Sequence, residues 1–456
     1  MADMKLIISN NLRLIEAPES LLRELRMRMT IANPAYAEAE KRGRWTGSLD
    51  KYLFFYREEQ GVFCVPRGFA GQLVSIARQA GIQCQLEDNR RILPEVDFHF
   101  RGTLKQFQEL AVNAMMIKDF GTLNAATGSG KTVMACHLIA ARRQPTLIIV
   151  HTKELLAQWR RMIEQFLSIP QAEIGVIGGG KKEIGQKITV GIINSIYPIA
   201  EQIREYFGHI VIDECHRAPS RTFTEAVAAF DSKFMLGLSA TPWRRDGLSI
   251  VIFLHVGDVQ YEVDKAALVH NGDILRAEII TRDTAFSPFA DPQEEYSRML
   301  SELTSDPDRN ALIVQDVLRE VANGAGVCLV LSDRKTHCLA LSSMLRRNGV
   351  NPDVLTGDTA TRERAAIVAR LSAGEVRVLI ATGQLVGEGF DAKVLQTLFL
   401  ATPIKFSGRL IQYLGRVLRP APGKEKAIIY DYVDGNVAVL RVSAEGRERV
   451  YRQLCN

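Results

Sequence analysis

From about Gly121 the chain alternates short apolar runs with amphipathic stretches. The apolar runs end at Leu123, Val150, Ile193, Ile212 and Leu238, and their length suits strands buried on both faces. Between them, residues 132–143, 153–166 and 220–230 carry apolar residues at helical spacing. Strands alternating with helices predict βαβ units and a mostly parallel sheet. The alternation weakens over 248–307, where Pro, Asp and Ser gather around 287–292, and resumes with the apolar run 327–331. Helices are predicted over 336–348, 361–372 and 407–416, and strands over 376–381 and 397–400, which makes a second α/β unit. Residues 1–100 read differently, as a smaller α+β piece with an aromatic strand over 52–56. The expected division is an N-terminal accessory domain at 1–100, α/β domains at 101–268 and 309–456, and a connecting segment at 269–308.

At roughly 150 residues per domain, 456 residues suit about three domains. Hydrophobic residues at 46% and charged residues at 24% exclude a disordered or collagen-like chain. The net charge is only +5, from 57 Lys and Arg against 52 Asp and Glu. That permits a polyanionic partner without requiring one, and excludes a histone-like chain. No apolar run approaches the roughly 18 residues of a membrane span. The start holds acidic Asp3 and lacks the features of a signal peptide, so no membrane partner is expected. Cysteines stand at 64, 84, 136, 215, 328, 338 and 455, with no CxxC pair. Free thiols in a cytoplasmic protein are the natural reading.

Composition leaves the chemistry open; the motifs narrow it. Ala125-Ala126-Thr127-Gly128-Ser129-Gly130-Lys131-Thr132 follows a strand-like run and opens a helix-like one. That context is what a Walker A loop needs. Gly128 and Gly130 let backbone N–H groups turn toward phosphate oxygens, and the helix start adds its positive dipole end. Lys131 then reaches the β and γ phosphates of ATP, and the Thr132 hydroxyl ligates Mg²⁺. A glycine-rich turn that binds nothing is the bland alternative, and strand, loop, Lys-Thr and helix in order argue against it. Further on, His209-Ile210-Val211-Ile212-Asp213-Glu214-Cys215-His216 ends an apolar strand in two carboxylates. They fall at the carboxyl edge of the sheet, where open α/β folds bind ligands. Asp213 suits Mg²⁺ and Glu214 suits polarising a water. Cys215 reads as a small buried spacer. His216 has no Cys or His partners at zinc-ligand spacing.

The order of these motifs resembles that of superfamily 2 helicases and translocases, motors of two RecA-like domains, across roughly residues 101–435. The fold class expected is α/β: two tandem RecA-like parallel-sheet domains with a small α+β N-terminal domain. Ala125, where the general pattern has Gly, also fits this superfamily. The resemblance makes Asp213-Glu214-Cys215-His216 a DExH box, and Ser239-Ala240-Thr241 the coupling motif between the domains, with His216 coupled to it. It makes Gln108 an adenine-reading glutamine, whose amide can donate and accept. Gln412, Arg416 and Arg419 recur at spacings of four and three, which places them on one face of a helix. They match the superfamily's QxxGRxxR motif, which makes the two arginines fingers worth about 10³ to 10⁵ in rate. Gly387-Glu388-Gly389-Phe390-Asp391 resembles the loop that brings Gly389 and Asp391 to the nucleotide. The second domain carries no phosphate loop, so the resemblance places ATP in a cleft between the domains.

By the same resemblance, Thr152, Ser195, Arg244, Arg334 and Thr382 sit in polar segments that track a nucleic-acid backbone, which such groups contact without reading bases. Each taken singly also suits a helix cap. Thr241-Pro242-Trp243-Arg244-Arg245-Asp246-Gly247 resembles the pattern of the XPB-like branch and of phage recombination helicases, except that XPB-type proteins carry Glu where Arg245 stands. That branch acts mainly on DNA, so DNA is preferred over RNA. Trp243 reads as a buried anchor before a base wedge. Lys41-Arg42-Gly43-Arg44-Trp45 combines cations with a ring, which suits nucleic acid or a solvated turn beside a core Trp. The function expected is an ATP-dependent DNA helicase or translocase in repair, recombination, or mobile-element or defence processes. Its alternatives are an RNA helicase, a nucleotide-gated duplex clamp, and the motor subunit of a restriction-type complex. A separate nuclease or recombination factor is the kind of protein partner implied.

Overall fold

The computed structural model describes residues 3–41, 43, 45–217, 221–240, 248–324, 326–383, 394–404 and 407–455. The chain divides into two compact units, Met1–Ala125 with Gly130–Val263, and Ala126–Ser129 with Asp264–Asn456.

The first unit holds a small sheet and a large one. The small sheet runs in the order Arg57–Glu59, Val62–Pro66, Asn11–Ile15, Asp3–Ile8, Gln83–Asp88. Side chains alternate across a strand, so Leu6, Ile8, Leu12, Leu14, Phe63 and Val65 turn to one face. There they meet Leu21 and Leu25 of helix Glu19–Arg28 and Leu73 and Ile76 of helix Ala70–Gln79. A separate ribbon pairs Thr30–Ala32 with Tyr52–Phe54. The aromatic strand expected over 52–56 therefore stops at Phe54.

The large sheet has eight strands, in the order Lys181–Glu183, Gly175–Gly178, Ile188–Ile192, Thr146–Val150, His209–Ile212, Phe234–Ser239, Phe120–Asn124, Val259–Glu262. All neighbours are parallel except the first pair. The continuous apolar run Thr146–Val150 is buried along its whole length, as a central strand covered on both faces must be. Helices Lys131–Arg142, Lys153–Leu167 and Arg221–Ala228 fall where the periodicity put them.

The two sheets are joined through backbone. Arg67 Nη1 donates to Ser232 O at 2.7 Å, and Asn10 Nδ2 donates to Ala228 O at 2.8 Å. Leu254, from helix Ser249–Val256, packs in the core of the small sheet. A Cβ on Gly68 would collide with the carbonyls of Phe253 and Leu254.

The second unit carries a six-stranded parallel sheet, in the order Ala277–Asp283, Ala427–Val433, Leu395–Leu400, Val327–Ser332, Val378–Thr382, Asp353–Leu355. Its edge strand Ala277–Asp283 lies inside the segment 269–308 and pairs with Ala427–Val433 along its full length. The hydrophobic pattern hides this strand, because an edge strand carrying Glu278, Arg282 and Asp283 makes no apolar run. Helix Pro307–Ala322 starts at an N-cap, where Asp306 Oδ1 accepts from Arg309 N at 2.8 Å. Among the described residues no helix is long and apolar enough to cross a membrane.

Candidate functional site

In the first unit, parallel register lines up the carboxyl ends of the central strands. Ser239 pairs with Asn124, Ile212 with Ile149 and Gly237, and Ile192 with Val150. The phosphate loop follows Phe120–Asn124, Thr152 follows Thr146–Val150, and Ser195 follows Ile188–Ile192. Asp213 follows His209–Ile212, and Ser239 ends its own strand. All these candidates occupy one sheet edge, the edge where open parallel sheets bind ligands.

The loop itself is closed by its own bonds. Ser129 Oγ donates to Ala126 O at 2.7 Å and Lys131 Nζ to Ala125 O at 3.0 Å. Ala125 N donates to Ser239 O at 2.9 Å, which ties the loop to the coupling strand. Gly128 and Gly130 hold φ of +93° and +84°, in the left-handed region where a side chain is strained. A Cβ on Gly130 would also strike Gln108 Nε2. Gln108 thus lies beside the loop, buried, while its Oε1 accepts from Lys105 N at 2.9 Å at the start of helix Gln106–Met116. Thr127 Oγ1 is buried with no hydrogen-bond partner among the described residues. A cradle that admits only glycine, an unsatisfied hydroxyl, a lysine and a helix start together fit a phosphate chain.

Asp213 is buried with both oxygens held. Oδ1 accepts from Glu214 N at 2.9 Å and Oδ2 from Trp159 Nε1 at 2.8 Å. Burial pushes its carboxyl above the usual range and the Glu214 charge adds to this, while the indole N–H and the Lys131 ammonium pull it back. Glu214 adopts a φ of +50°, a conformation that costs a non-glycine residue of order 1 kcal/mol. Its Oε2 lies 3.2 Å from His216 Nδ1, which in turn lies 3.1 Å from Ser239 Oγ. Acid box and coupling strand are therefore bonded side chain to side chain. The Asp213 carboxylate and the Thr132 hydroxyl are hard oxygen donors of the kind that Mg²⁺ selects. Cys215 is fully buried and its thiol is pushed up by burial, which fits a spacer and no nucleophile.

Sequence reasoning passed over Trp159. The signal was present: a Trp on the apolar face of the predicted helix 153–166, since a buried indole N–H normally finds an acceptor.

In the second unit, Gln412 and Arg416 lie four apart on helix Ser407–Val417, with Gln412 buried. Arg419 falls beyond the last helical turn, so the shared helical face expected for all three extends to two. Lys424 holds that turn, its Nζ donating to Val417 O and, at 3.0 Å, to Arg419 O. Burial, reinforced by the Arg419 charge, pushes its ammonium down to about 8. Lys424 was invisible in the sequence, because a lysine bonded to carbonyls reads like any solvated one. Thr382 pairs with Ser332 at the ends of their strands. A Cβ on Gly383 would strike the Tyr413 hydroxyl and approach Asp333, so these polar segments meet beside the arginine helix.

Two candidates for the track are engaged locally. Thr152 Oγ1 accepts from Leu155 N at 3.3 Å as a helix cap, and Arg334 Nη2 donates to Ser297 O and Oγ at 3.0 Å. Thr241, Arg244, Gly389 and Asp391 lie outside the described residues.

A parallel-sheet domain with a phosphate loop and acid box, and a second parallel-sheet domain with a Gln-Arg helix, define a nucleoside-triphosphate motor. Residues 101–244 match the family described as type III restriction enzyme, res subunit, and residues 311–421 match the helicase conserved C-terminal domain. The DNA 3'-5' translocase XPB2 of Sulfurisphaera tokodaii is 24% identical over 464 residues, covering 92% of this chain and 98% of that protein. A protein of Escherichia phage T5 described as helicase D10 is 26% identical over 372 residues, covering 82% of this chain and 80% of its own. The helicase domain of Hef from Pyrococcus furiosus shares the fold, with a TM-score of 0.52 and 15% identity over 75% of this chain and 98% of that one. The chain belongs to the superfamily 2 helicases and translocases, ATP-hydrolysing enzymes that act on nucleic acid.

Proposed function

We propose that the chain is a Mg²⁺-dependent ATPase that moves along or remodels DNA. One observation carries the reading: Lys131, Asp213, Glu214, His216 and Ser239 form a continuous cluster at one sheet edge, linked from the phosphate loop to the coupling strand. In this reading Lys131 and the loop amides hold the β and γ phosphates, and Gln108 meets the adenine. Thr132 and Asp213 hold Mg²⁺, which supplies charge neutralisation when bound. Glu214 orients the attacking water and accepts its proton, and Gln412, Arg416 and Arg419 serve ATP hydrolysis by their place in the motif. Thr241, Gly389 and Asp391 belong to the same machinery by their place in the motifs.

DNA is favoured over RNA because the relative from Sulfurisphaera tokodaii, matched over nearly the whole chain, is described as a DNA translocase. Thr152, Ser195, Arg244, Arg334 and Thr382 contact the backbone of that DNA. The divisions 1–100, 101–268 and 309–456 are the accessory domain, first motor domain and second motor domain, and the segment 269–308 adds the edge strand Ala277–Asp283 to the sheet of the second. The match of residues 101–244 to a restriction subunit favours a second reading, a cytoplasmic motor that serves a separate nuclease.

The test is ATP turnover with single-stranded DNA, duplex, fork and RNA in parallel, with Lys131→Ala and Glu214→Gln as controls. DNA should stimulate turnover, and both variants should lose nearly all of it. Stimulation by RNA alone would overturn the substrate, and turnover surviving Lys131→Ala would overturn the site.

A further inference from the structure

The ribbon Thr30–Ala32 with Tyr52–Phe54 has one face turned inward and one outward. Ile31 packs against the core of the small sheet, so Ile31 and its cross-strand partner Leu53 mark the inner side. Tyr52 and Phe54, two residues apart, share the outer side with their partners Ala32 and Thr30. Those partners are small and leave the rings uncovered: Phe54 is 62% and Tyr52 46% exposed.

The rings are nonetheless fixed in place. Phe54 sits edge-on to Tyr56, with centroids 6.0 Å apart, and Tyr56 stacks on core Phe63 at 5.3 Å. The chain between the two strands closes at its base, where Asn33 N donates to Lys51 O at 3.0 Å and Asn33 Nδ2 to Asp50 O at 2.7 Å. That excursion carries Trp45, 80% exposed. Its ring packs over Gly47, where a Cβ would collide with it.

Charge is concentrated in the same stretch of sequence. Residues 41–51 hold four cations, Lys41, Arg42, Arg44 and Lys51, against the single carboxylate Asp50. That net +3 in a short stretch compares with +5 for the whole chain. Lys51 Nζ lies 6.0 Å from the centre of the Tyr52 ring.

We propose that Trp45, Tyr52 and Phe54 form a stacking platform for unpaired bases of a single polynucleotide strand, with Lys41 and Lys51 taking its phosphates. The combination selects this occupant. Cations alone would suit any polyanion. Exposed rings gain nothing from phosphates, and a duplex hides its base faces in the stack. Only a strand whose bases have left the stack offers both flat apolar faces and backbone charge, and every base has such a face, so the platform reads no sequence. The inference rests on the reading of the chain as a nucleic-acid motor.

The test uses the full chain without nucleotide, and fluorescein-labelled dT16, rU16 and a 16-base-pair duplex. The variant Trp45→Ala, Tyr52→Ala, Phe54→Ala should bind dT16 at least about tenfold more weakly, since one stacked base is worth roughly fivefold to a hundredfold. Duplex affinity should be unchanged, and Tyr52→Phe with Phe54→Tyr should bind dT16 like the parent. With 5-iodouracil in the strand, ultraviolet cross-links should map to residues 41–56. Equal dT16 affinity in parent and alanine variant, equal loss for dT16 and duplex, or cross-links confined to residues 101–456 would each overturn the platform. The rU16 arm shows whether RNA is taken as well as DNA, which stacking allows; a strand of rU16 bound while dT16 is refused would also overturn it. Stimulation of ATP turnover reports on the motor reading separately, because none of these readouts requires hydrolysis.

Discussion

The indole N–H of Trp159 donates to Asp213 Oδ2 at 2.8 Å, from the middle of one helix to the end of a strand that is not its sequence neighbour. Asp213 is buried, and burial works against its charge. The indole offsets part of that cost and fixes which way the carboxylate faces. Trp159→Phe keeps an aromatic ring and removes the donor, at the cost of a small void where the rest of the buried indole stood. Losing a partner that orients a metal ligand typically costs about tenfold to a hundredfold in metal affinity or activity. The variant should therefore need about tenfold more Mg²⁺ for half-maximal ATP turnover, measured well below its own melting temperature. A Mg²⁺ titration identical to the parent's would show that the bond does not orient the ligand.

His216 Nδ1 lies 3.1 Å from Ser239 Oγ and 3.2 Å from Glu214 Oε2, so one ring nitrogen faces both and bonds one of them at a time. One imidazole can therefore transmit a change at the acid box to the coupling strand. His216→Ala and Ser239→Ala should each abolish most of the stimulation of turnover by DNA, with a smaller loss of the basal rate. Because both changes break one bonded unit, the double variant should be no worse than the more severe single one. Additive losses in a double-mutant cycle would show two independent roles.

The two positions differ in how far the sequence announces them. His216 and Ser239 sit in contiguous motifs, where spacing alone carries the chemistry, and the large sheet was legible because buried parallel strands make unbroken apolar runs such as Thr146–Val150. Trp159, Lys424 and the edge strand Ala277–Asp283 were not legible in the same way. Each acquires its role from a partner remote in sequence: Asp213 for Trp159, two carbonyls for Lys424, Ala427–Val433 for the strand. The helix stop after Val417 was missed because four-and-three spacing continues through Arg419 whether or not the backbone does.

The junction between the small sheet and the large one makes a sharper demand on Gly68 than its position suggests. A Cβ there would collide with backbone at Phe253, Leu254 and Gly257, which cannot swing aside as a side chain could. Neighbouring Arg67 is buried, bonded to Ser232 O, and pushed down to about 9 by burial and then by the Arg90 charge. Gly68→Val must part the two sheets or distort helix Ser249–Val256. Overpacking of this kind costs about 3 kcal/mol. The variant should unfold at lower urea than the parent, and should expose Leu254 to binding of a hydrophobic dye. An unshifted urea midpoint would show that the junction yields without cost.

His337 lies in the second unit with its ring buried, Nε2 2.8 Å from Asn310 Oδ1 and Nδ1 3.0 Å from Ser332 Oγ. Because Asn310 Oδ1 can only accept, Nε2 carries the proton and Nδ1 accepts from the serine hydroxyl, a neutral ring. Burial, and then the charge of Arg309, push the pKa down to about 3. The unfolded chain has a histidine pKa near 6.5, so below that pH the unfolded state binds more protons than the folded one. The stability held by the neutral ring is complete above about pH 6.5 and falls as the pH drops toward 3, by ~1.4 kcal/mol per pH unit. His209, buried and also pushed down, adds in the same direction. Between pH 7.5 and pH 5 the parent should lose about 2 kcal/mol from His337 alone. His337→Gln keeps a donor and an acceptor but does not titrate, so its loss over the same range should be smaller by that amount. Urea denaturation of both proteins at the two pH values measures the difference, and parallel losses would assign the acid sensitivity to other groups.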